Sequence, residues 1–355
     1  MELIINLNKP EGITSQKITL KAKKILNAKK AGHTGTLDPS ATGILLICLN
    51  RATRLASYFS SLDKEYRAVI KLGEATDTQD AEGNVIEKSD RIEVDRAALK
   101  NTLKSFMGKI LQKPPMFSAL KFKGKPLYKY AKKGIDIPRK LRKVQIHNIE
   151  LLDISPPFVS IKVVCSKGTY IRTLSDDIGR KLGTVAHLFK LERTAVGPFN
   201  IKDAVRIEEL NSLNLNHLHD PVRKNALLPK GACPVGQEAL LPNGTCPVGQ
   251  EALLPKGTCP VGQEALLPNG IYTMDSALSW MPELKIKESL VRGVKNGIPI
   301  KISECHDFPD SSGMSHDILT AASGIKIKSP EGQLIAIGSF LAGNKVIKTD
   351  VVFSA

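Results

Sequence analysis

The chain has 355 residues, 42% of them apolar, and carries 51 basic against 35 acidic side chains, a net charge of +16. That apolar share excludes a wholly disordered chain, and at roughly 150 residues per domain the length predicts two or three domains. The longest near-continuous apolar run, Ile44–Leu49, is far too short to cross a bilayer, and Met1–Asn6 lacks the basic and long apolar regions of a signal peptide.

In chain order, Glu2–Leu7 predicts a short strand and Lys9-Pro10-Glu11-Gly12 a turn. Thr14 or Ser15 is placed to cap a helix reaching Asn27, with Ile18, Ala22, Ile25 and Leu26 inward and lysines outward. Ala31–Gly43 reads as a loop rich in Gly and Thr, and Ile44–Leu49 as a buried central strand. Tyr66, Ala68, Ile70 and Leu72 alternate with Arg67 and Lys71, the pattern of a half-buried strand. Val94–Met107 predicts a helix, Val144–Ile154 and Val159–Cys165 two strands joined through Ser155-Pro156-Pro157, Tyr170–Leu182 a helix and His187–Thr194 a strand. Helices and strands mix without regular alternation, so the fold class expected is α+β on a mixed, mostly antiparallel sheet. Beyond residue 270, Leu284–Val294 predicts a linker helix. Ile298–Ile302, Ile325–Ile327, Leu334–Phe340 and Lys345–Val352 predict a small β-rich C-terminal domain.

Between these parts lies a tandem repeat with a period of 13 residues, its copies starting at Ala226, Ala239, Ala252 and Ala265. The expected organisation is therefore an N-terminal domain over 1–225, a repeat insert over 226–270 and a C-terminal part over 271–355. Each whole copy carries one cysteine (Cys233, Cys246, Cys259), and the bland account is duplication of a flexible, Pro- and Gly-containing insert. Six cysteines without a Cys-x-x-Cys pair predict neither a disulfide framework nor a zinc site, and a cytoplasmic setting.

The positive charge lies in the first 200 residues and is densest over 101–150, with 13 basic and 2 acidic side chains. There Phe117, Phe122, Tyr128 and Tyr130 are interleaved with Lys121, Lys123, Lys125, Lys129, Lys132 and Lys133. Cations meet phosphates and flat rings meet bases, so the mixture suits nucleic acid better than a membrane; a solvated lysine-rich face is the alternative. The most unusual segment is Gly32-His33-Thr34-Gly35-Thr36-Leu37-Asp38-Pro39-Ser40-Ala41-Thr42-Gly43. No Gly-Lys-Ser/Thr closes it, so it is not a phosphate-binding P-loop. Its one carboxylate, Asp38, is read from the residues alone either as a turn at an Asp-Pro step or as a functional group.

This loop resembles the signature loop of the TruB family of tRNA pseudouridine-55 synthases. Four further segments resemble the family's motifs in the family's order. They are Lys9-Pro10-x-Gly12-x-Thr14-Ser15, Lys64-x-Tyr66 with Leu72-Gly73-x-x-Thr76-Asp77-Thr78-x-Asp80-x-Glu82-Gly83, Pro114-Pro115-x-Phe117-Ser118-Ala119-Leu120-Lys121, and Cys165–Leu174 with Leu191-x-Arg193. The resemblance covers about residues 3–210. It implies a pseudouridine synthase-like catalytic domain and isomerisation of a T-loop uridine in tRNA, without metal or cofactor. It implies Asp38 as the catalytic carboxylate, Arg172 as its partner, and Tyr170 as a phenol near C5 of the base. Tyr66 would stack on the base, Leu191 would wall the uracil pocket, and His33 would enter the space left in the T-loop. Lys9 and Lys121 complete the substrate-binding set. Gly293-x-x-x-Gly297 and the strands after it resemble a PUA-type module. The partner expected is the T-arm of tRNA, with no membrane and no guide RNA, and the chain is expected to be a monomer. The rivals are the catalytic subunit of an RNA-guided pseudouridylation complex and a non-catalytic tRNA chaperone.

Overall fold

Seven residues, Leu-Ile-Ile-Asn-Leu-Asn-Lys, open the fold as strand β1 (Leu3–Lys9), buried along nearly its whole length. The computed structural model describes residues 2–212, 267–301, 324–341 and 346–353. The Thr14 hydroxyl accepts from the Lys17 N–H and caps α1 (Ser15–Ile25), as the sequence predicts. Next come β2 (Ala31–His33), β3 (Thr42–Leu49), α2 (Ala56–Ser61), β4 (Lys64–Leu72) and a hairpin of β5 (Glu74–Thr76) and β6 (Val85–Lys88). Asp95 caps α3 (Arg96–Lys104). It is followed by β7 (Gly108–Gln112), a small hairpin of β8 (Lys121–Phe122) and β9 (Lys125–Pro126), and α4 (Leu127–Ala131). The long pair β10 (Arg142–Ser155) and β11 (Phe158–Cys165), α5 (Ile171–Lys181), β12 (Ala186–Val196), β13 (Phe199–Asn200) and α6 (Glu209–Ser212) complete this stretch.

Eight strands run in the order β14-β1-β3-β12-β4-β11-β10-β7, where β14 is Ile271–Thr273; β2 joins β3 and β13 joins β12 at the sides. All these pairings are antiparallel except β3 with β12. The sheet is thus mixed and mostly antiparallel, as expected. The predicted central strand lies inside it: β3 is buried on both faces between β1 and β12. One core packs β4 and β11 against α3 and α5, through Ala68, Ile70, Ile161, Val163, Leu99, Leu103, Leu174 and Ile178. Another packs Ile4, Ile44 and Leu46 with Phe59, Phe199, Met281, Ile337 and Phe353.

The C-terminal part is β-rich, as expected. A five-stranded sheet has the order β15-β17-β18-β19-β16, formed by β15 (Glu283–Lys285), β16 (Ile300–Lys301), β17 (Ile325–Lys328), β18 (Leu334–Leu341) and β19 (Val346–Val352). Three local expectations change. Ala31–His33, read as loop, is a strand because it can pair with Leu49–Ile47. The predicted helix Leu284–Val294 begins only at α7 (Glu288–Lys295). Its first residues alternate in burial and pair with Lys326–Lys328 as β15. The segment after the repeats, read as the start of the C-terminal part, first adds β14 to the edge of the large sheet beside β1. The repeat insert lies almost wholly outside the described residues, as do Cys233, Cys246 and Cys259.

Candidate active site

The loop between β2 and β3 is held from below by the N-terminal turn. The Ser15 hydroxyl donates to the Leu37 carbonyl and accepts from the Leu37 N–H, both at 2.9 Å. The Gly12 N–H donates to the Pro39 carbonyl at 2.9 Å. Lys9, expected to bind substrate, is fully buried. Its ammonium donates to the carbonyls of Pro10, Ile13 and Pro39 at 2.8–3.0 Å, so it is spent on the loop that carries Asp38. Burial lowers its pKa to about 8, against the pull of the Asp38 charge. Two of the sequence segments thus form one structure around residues 37–39.

Gly43, the second residue of β3, pairs with Arg193 of β12. Its φ is +99°, and a Cβ there would stand 2.3 Å from the Arg193 carbonyl oxygen. Only glycine allows that approach. Arg193 is itself buried and donates through Nε to Ile44 O at 2.7 Å and through Nη2 to Gly35 O at 3.0 Å.

Arg172 projects from the first turn of α5, and its side chain is only 6% exposed. Nε meets Asp38 Oδ2 at 3.1 Å and Nη2 meets Asp38 Oδ1 at 3.4 Å, a two-pronged pair. Nη1 meets Asp80 Oδ2 and the Thr78 carbonyl, each at 3.2 Å, and Nη2 donates to the Phe117 carbonyl at 2.6 Å. Asp80 in turn accepts from the Thr78 hydroxyl at 2.6 Å and the Glu82 N–H at 3.1 Å. In the sequence Asp80 is only a letter within a motif. Its role emerges because a separation of 92 residues is folded back to place it on Arg172.

Asp38 keeps 35% of its side chain exposed, toward a small pocket lined also by Ala41, Asp80, Arg172, Leu188 and Leu191. Burial pushes its carboxyl above the ordinary value, opposed by Arg172, reinforced by Asp80 and eased by Lys9. Tyr66 on β4 is buried and opposes Arg193 across the sheet. Half-buried Tyr170 immediately precedes α5. Burial raises the pKa of both phenols, and the Asp38 charge raises each further. His33 ends β2; burial, then Arg193, lowers its imidazole pKa, and its buried Nδ1 has no hydrogen-bond partner among the described residues. Lys121 is exposed on the β8–β9 hairpin, away from the pocket lining. Chemically, the site offers a carboxylate held by a forked cation at an open mouth, with an apolar wall and two neutral phenols nearby.

This fold is that of a pseudouridine synthase. A family model for the N-terminal domain of TruB family pseudouridylate synthases matches residues 23–171, and a tRNA pseudouridylate synthase B C-terminal domain model matches 172–230. The tRNA pseudouridine synthase B of Clostridium tetani is 47% identical over 224 residues, covering 63% of this chain and 78% of that protein. That of Bordetella avium is 50% identical over 212 residues, covering 59% and 87%. The chain belongs to the TruB family. Among solved structures, an H/ACA RNP bound to a substrate RNA containing 2′-deoxyuridine shares the fold, with TM-score 0.64 and 23% identity, over 99% of this chain and 85% of that one. A Cbf5-Nop10-Gar1 complex matches with TM-score 0.63 and 25% identity, over 99% and 84%.

Proposed function

We propose that this chain is a stand-alone tRNA pseudouridine synthase that isomerises a T-loop uridine, with Asp38 as its catalytic carboxylate. The observation that carries the reading is the forked Asp38–Arg172 pair at the mouth of the pocket. The N1–C1′ bond breaks, the uracil turns, and C5 bonds to C1′; the proton leaving C5 is balanced by one gained at N1. A glycosidic bond inside a stacked loop is out of reach, so the uridine must be flipped into the pocket. Asp38 acts at the sugar, either on C1′ as a nucleophile or on the 2′ proton as a base, and both roles need it ionised. The two prongs of Arg172 favour that charged form against the cost of burial. Tyr66 supports the base by stacking, Leu191 walls the uracil, and Tyr170 serves the C5 proton. Lys121 and its hairpin contact the tRNA backbone, and His33 fills the space vacated in the T-loop.

The fold match to an H/ACA RNP keeps one rival in play, in which a guide RNA selects the uridine. Purified protein incubated alone with an unmodified tRNA transcript separates the two. Pseudouridine mapped to the T-loop is the expected result, and Asp38→Asn should abolish it while leaving tRNA affinity within about twofold, because phosphate contacts supply most of the binding. No product in the absence of a guide RNA would sink the stand-alone reading. Turnover by the Asp38→Asn variant within tenfold of wild type would remove Asp38 from the chemistry.

A further inference from the structure

Gln112 closes strand β7 and is 2% exposed, a buried side-chain amide beside the site. Its Oε1 accepts from the Tyr170 N–H at 2.8 Å, and its Nε2 donates to the Tyr170 carbonyl at 3.0 Å. A side-chain amide carries the same donor and acceptor as a peptide group, so Gln112 grips Tyr170 as a neighbouring strand would.

The place gripped is sensitive. Tyr170 is the last extended residue before α5, at φ −100° and ψ 109°, and no side chain caps the helix there. Its carbonyl also accepts the Leu174 N–H at 3.0 Å, which closes the first helical turn. The direction of its Cα–Cβ bond, and hence of the phenol, follows from this one backbone setting. Two residues on, Arg172 reaches Asp38, Asp80 and the Phe117 carbonyl from the same turn. Gln112 is also the final rung of the β7–β10 ladder, opposite Arg142. The basic and aromatic segment leaves the sheet immediately after it and returns at Arg142, so the clamp stands at the root of that segment.

We infer that Gln112 is a positioning residue for the isomerisation, holding the Tyr170 backbone so that the phenol meets the base in register; this rests on the role proposed above for Tyr170. Misplacement of a reacting group by about 1 Å suffices for large losses in rate, whereas binding through phosphates is indifferent to it. The interaction is long-range, across 58 residues, and neither residue's neighbours in sequence announce it.

The test uses the full-length protein in single-turnover reactions, with enzyme in saturating excess over unmodified tRNA, alongside tRNA dissociation constants and melting temperatures. Gln112→Met keeps the volume and removes both bonds. It should slow isomerisation at least tenfold while tRNA affinity changes less than twofold. Added to Tyr170→Phe, it should slow the reaction little further, since both changes disable the same group. A wild-type rate for Gln112→Met, or fully multiplicative losses in the double variant, would overturn the clamp. So would parallel losses of rate, affinity and melting temperature, the signature of a merely structural role. Should Gln112→Met fail to fold, Gln112→Asn, one methylene too short to span both groups, carries the same measurements. Tyr170→Phe turning over as fast as wild type would instead strike the role of Tyr170 itself, and the proposal would fall with it. A crippled Tyr170→Phe beside an undiminished Gln112→Met overturns the clamp alone.

Discussion

At Asp38, burial and Asp80 favour the neutral acid, while Arg172 and Lys9 favour the anion. Arg172→Met removes the strongest support for the charge and raises the carboxyl pKa further. Because the chemistry needs the anion, the rising limb of the pH–rate profile should move to higher pH. At neutral pH the loss should be about 3 kcal/mol, roughly a hundredfold in rate. An unshifted limb would count against the pairing. Lys9→Met leaves the carbonyls of Pro10, Ile13 and Pro39 without their shared donor. That should lower stability by about 2 kcal/mol in urea titrations, and slow turnover more than it weakens tRNA binding. The pairing of Asp38 with Arg172 was legible through the resemblance of short contiguous motifs. The burial of Lys9 and the part played by Asp80 were not, because both depend on partners brought from other segments of the chain.

Strand β3 enters the sheet between β1 and β12 only because Gly43 lets the Arg193 backbone come close. Gly43→Ala sets a Cβ against backbone that has no room to retreat, in a conformation that favours glycine. A loss of about 3 kcal/mol or more is expected, read as a lower urea midpoint. The β8–β9 hairpin makes a different prediction. It carries Lys121, Lys123 and Lys125, with Phe122 packed edge-on against Tyr130. Reversing the three charges should weaken tRNA binding and flatten its salt dependence, each lost phosphate contact removing roughly 0.7–0.9 units of log–log slope. An unchanged slope would restore the solvated-surface reading of this segment. Elements with a strong period or run (β3, β4, β11, α5) are legible in the sequence to within a few residues. The β5–β6 hairpin, β7, the β8–β9 hairpin and α4 are not, their elements being two to five residues long, with little apolar patterning to mark them. Glu283–Lys285 borders a helix in sequence, and three residues cannot distinguish the two periods; pairing with β17 decides it.

Where the chain passes from the large sheet to the small one, four side chains form a closed ring of charge. Lys326 reaches Asp275 and Glu283 at 3.0 and 3.1 Å, and Lys328 reaches the same two at 2.7 and 2.8 Å. Both lysines are almost wholly buried, whereas the carboxylates keep a third or more of their surface. Asp275→Ala leaves two buried ammonium groups on one carboxylate, so stability should fall by about 2 kcal/mol, read by thermal melting. Hydrogen bonds from Lys328 hold the Glu283 pKa below its ordinary value, against burial. A depressed carboxyl contributes stability above its unfolded pKa and loses it as pH falls through the folded one. Acidification from about pH 4.5 down through the depressed Glu283 pKa should therefore narrow the stability gap between wild type and Glu283→Gln. A gap that is constant with pH would show the ring to be inert.

By itself the sequence determined the α+β class, the membership of β3 and β4 in a buried sheet, the β-rich end and the motif residues of the site. These follow from period and from short contiguous motifs, which are local properties. Tertiary structure alone decided that Lys9 serves the Asp38 loop, that Asp80 shares Arg172, that Gln112 grips Tyr170, and that Ile271–Thr273 rejoins the first strand. Each of these joins segments tens to hundreds of residues apart, and a hydrogen bond or ion pair at that separation leaves no period in the sequence. Such contacts exist only once sheet order has brought the two segments to within about 3 Å of each other.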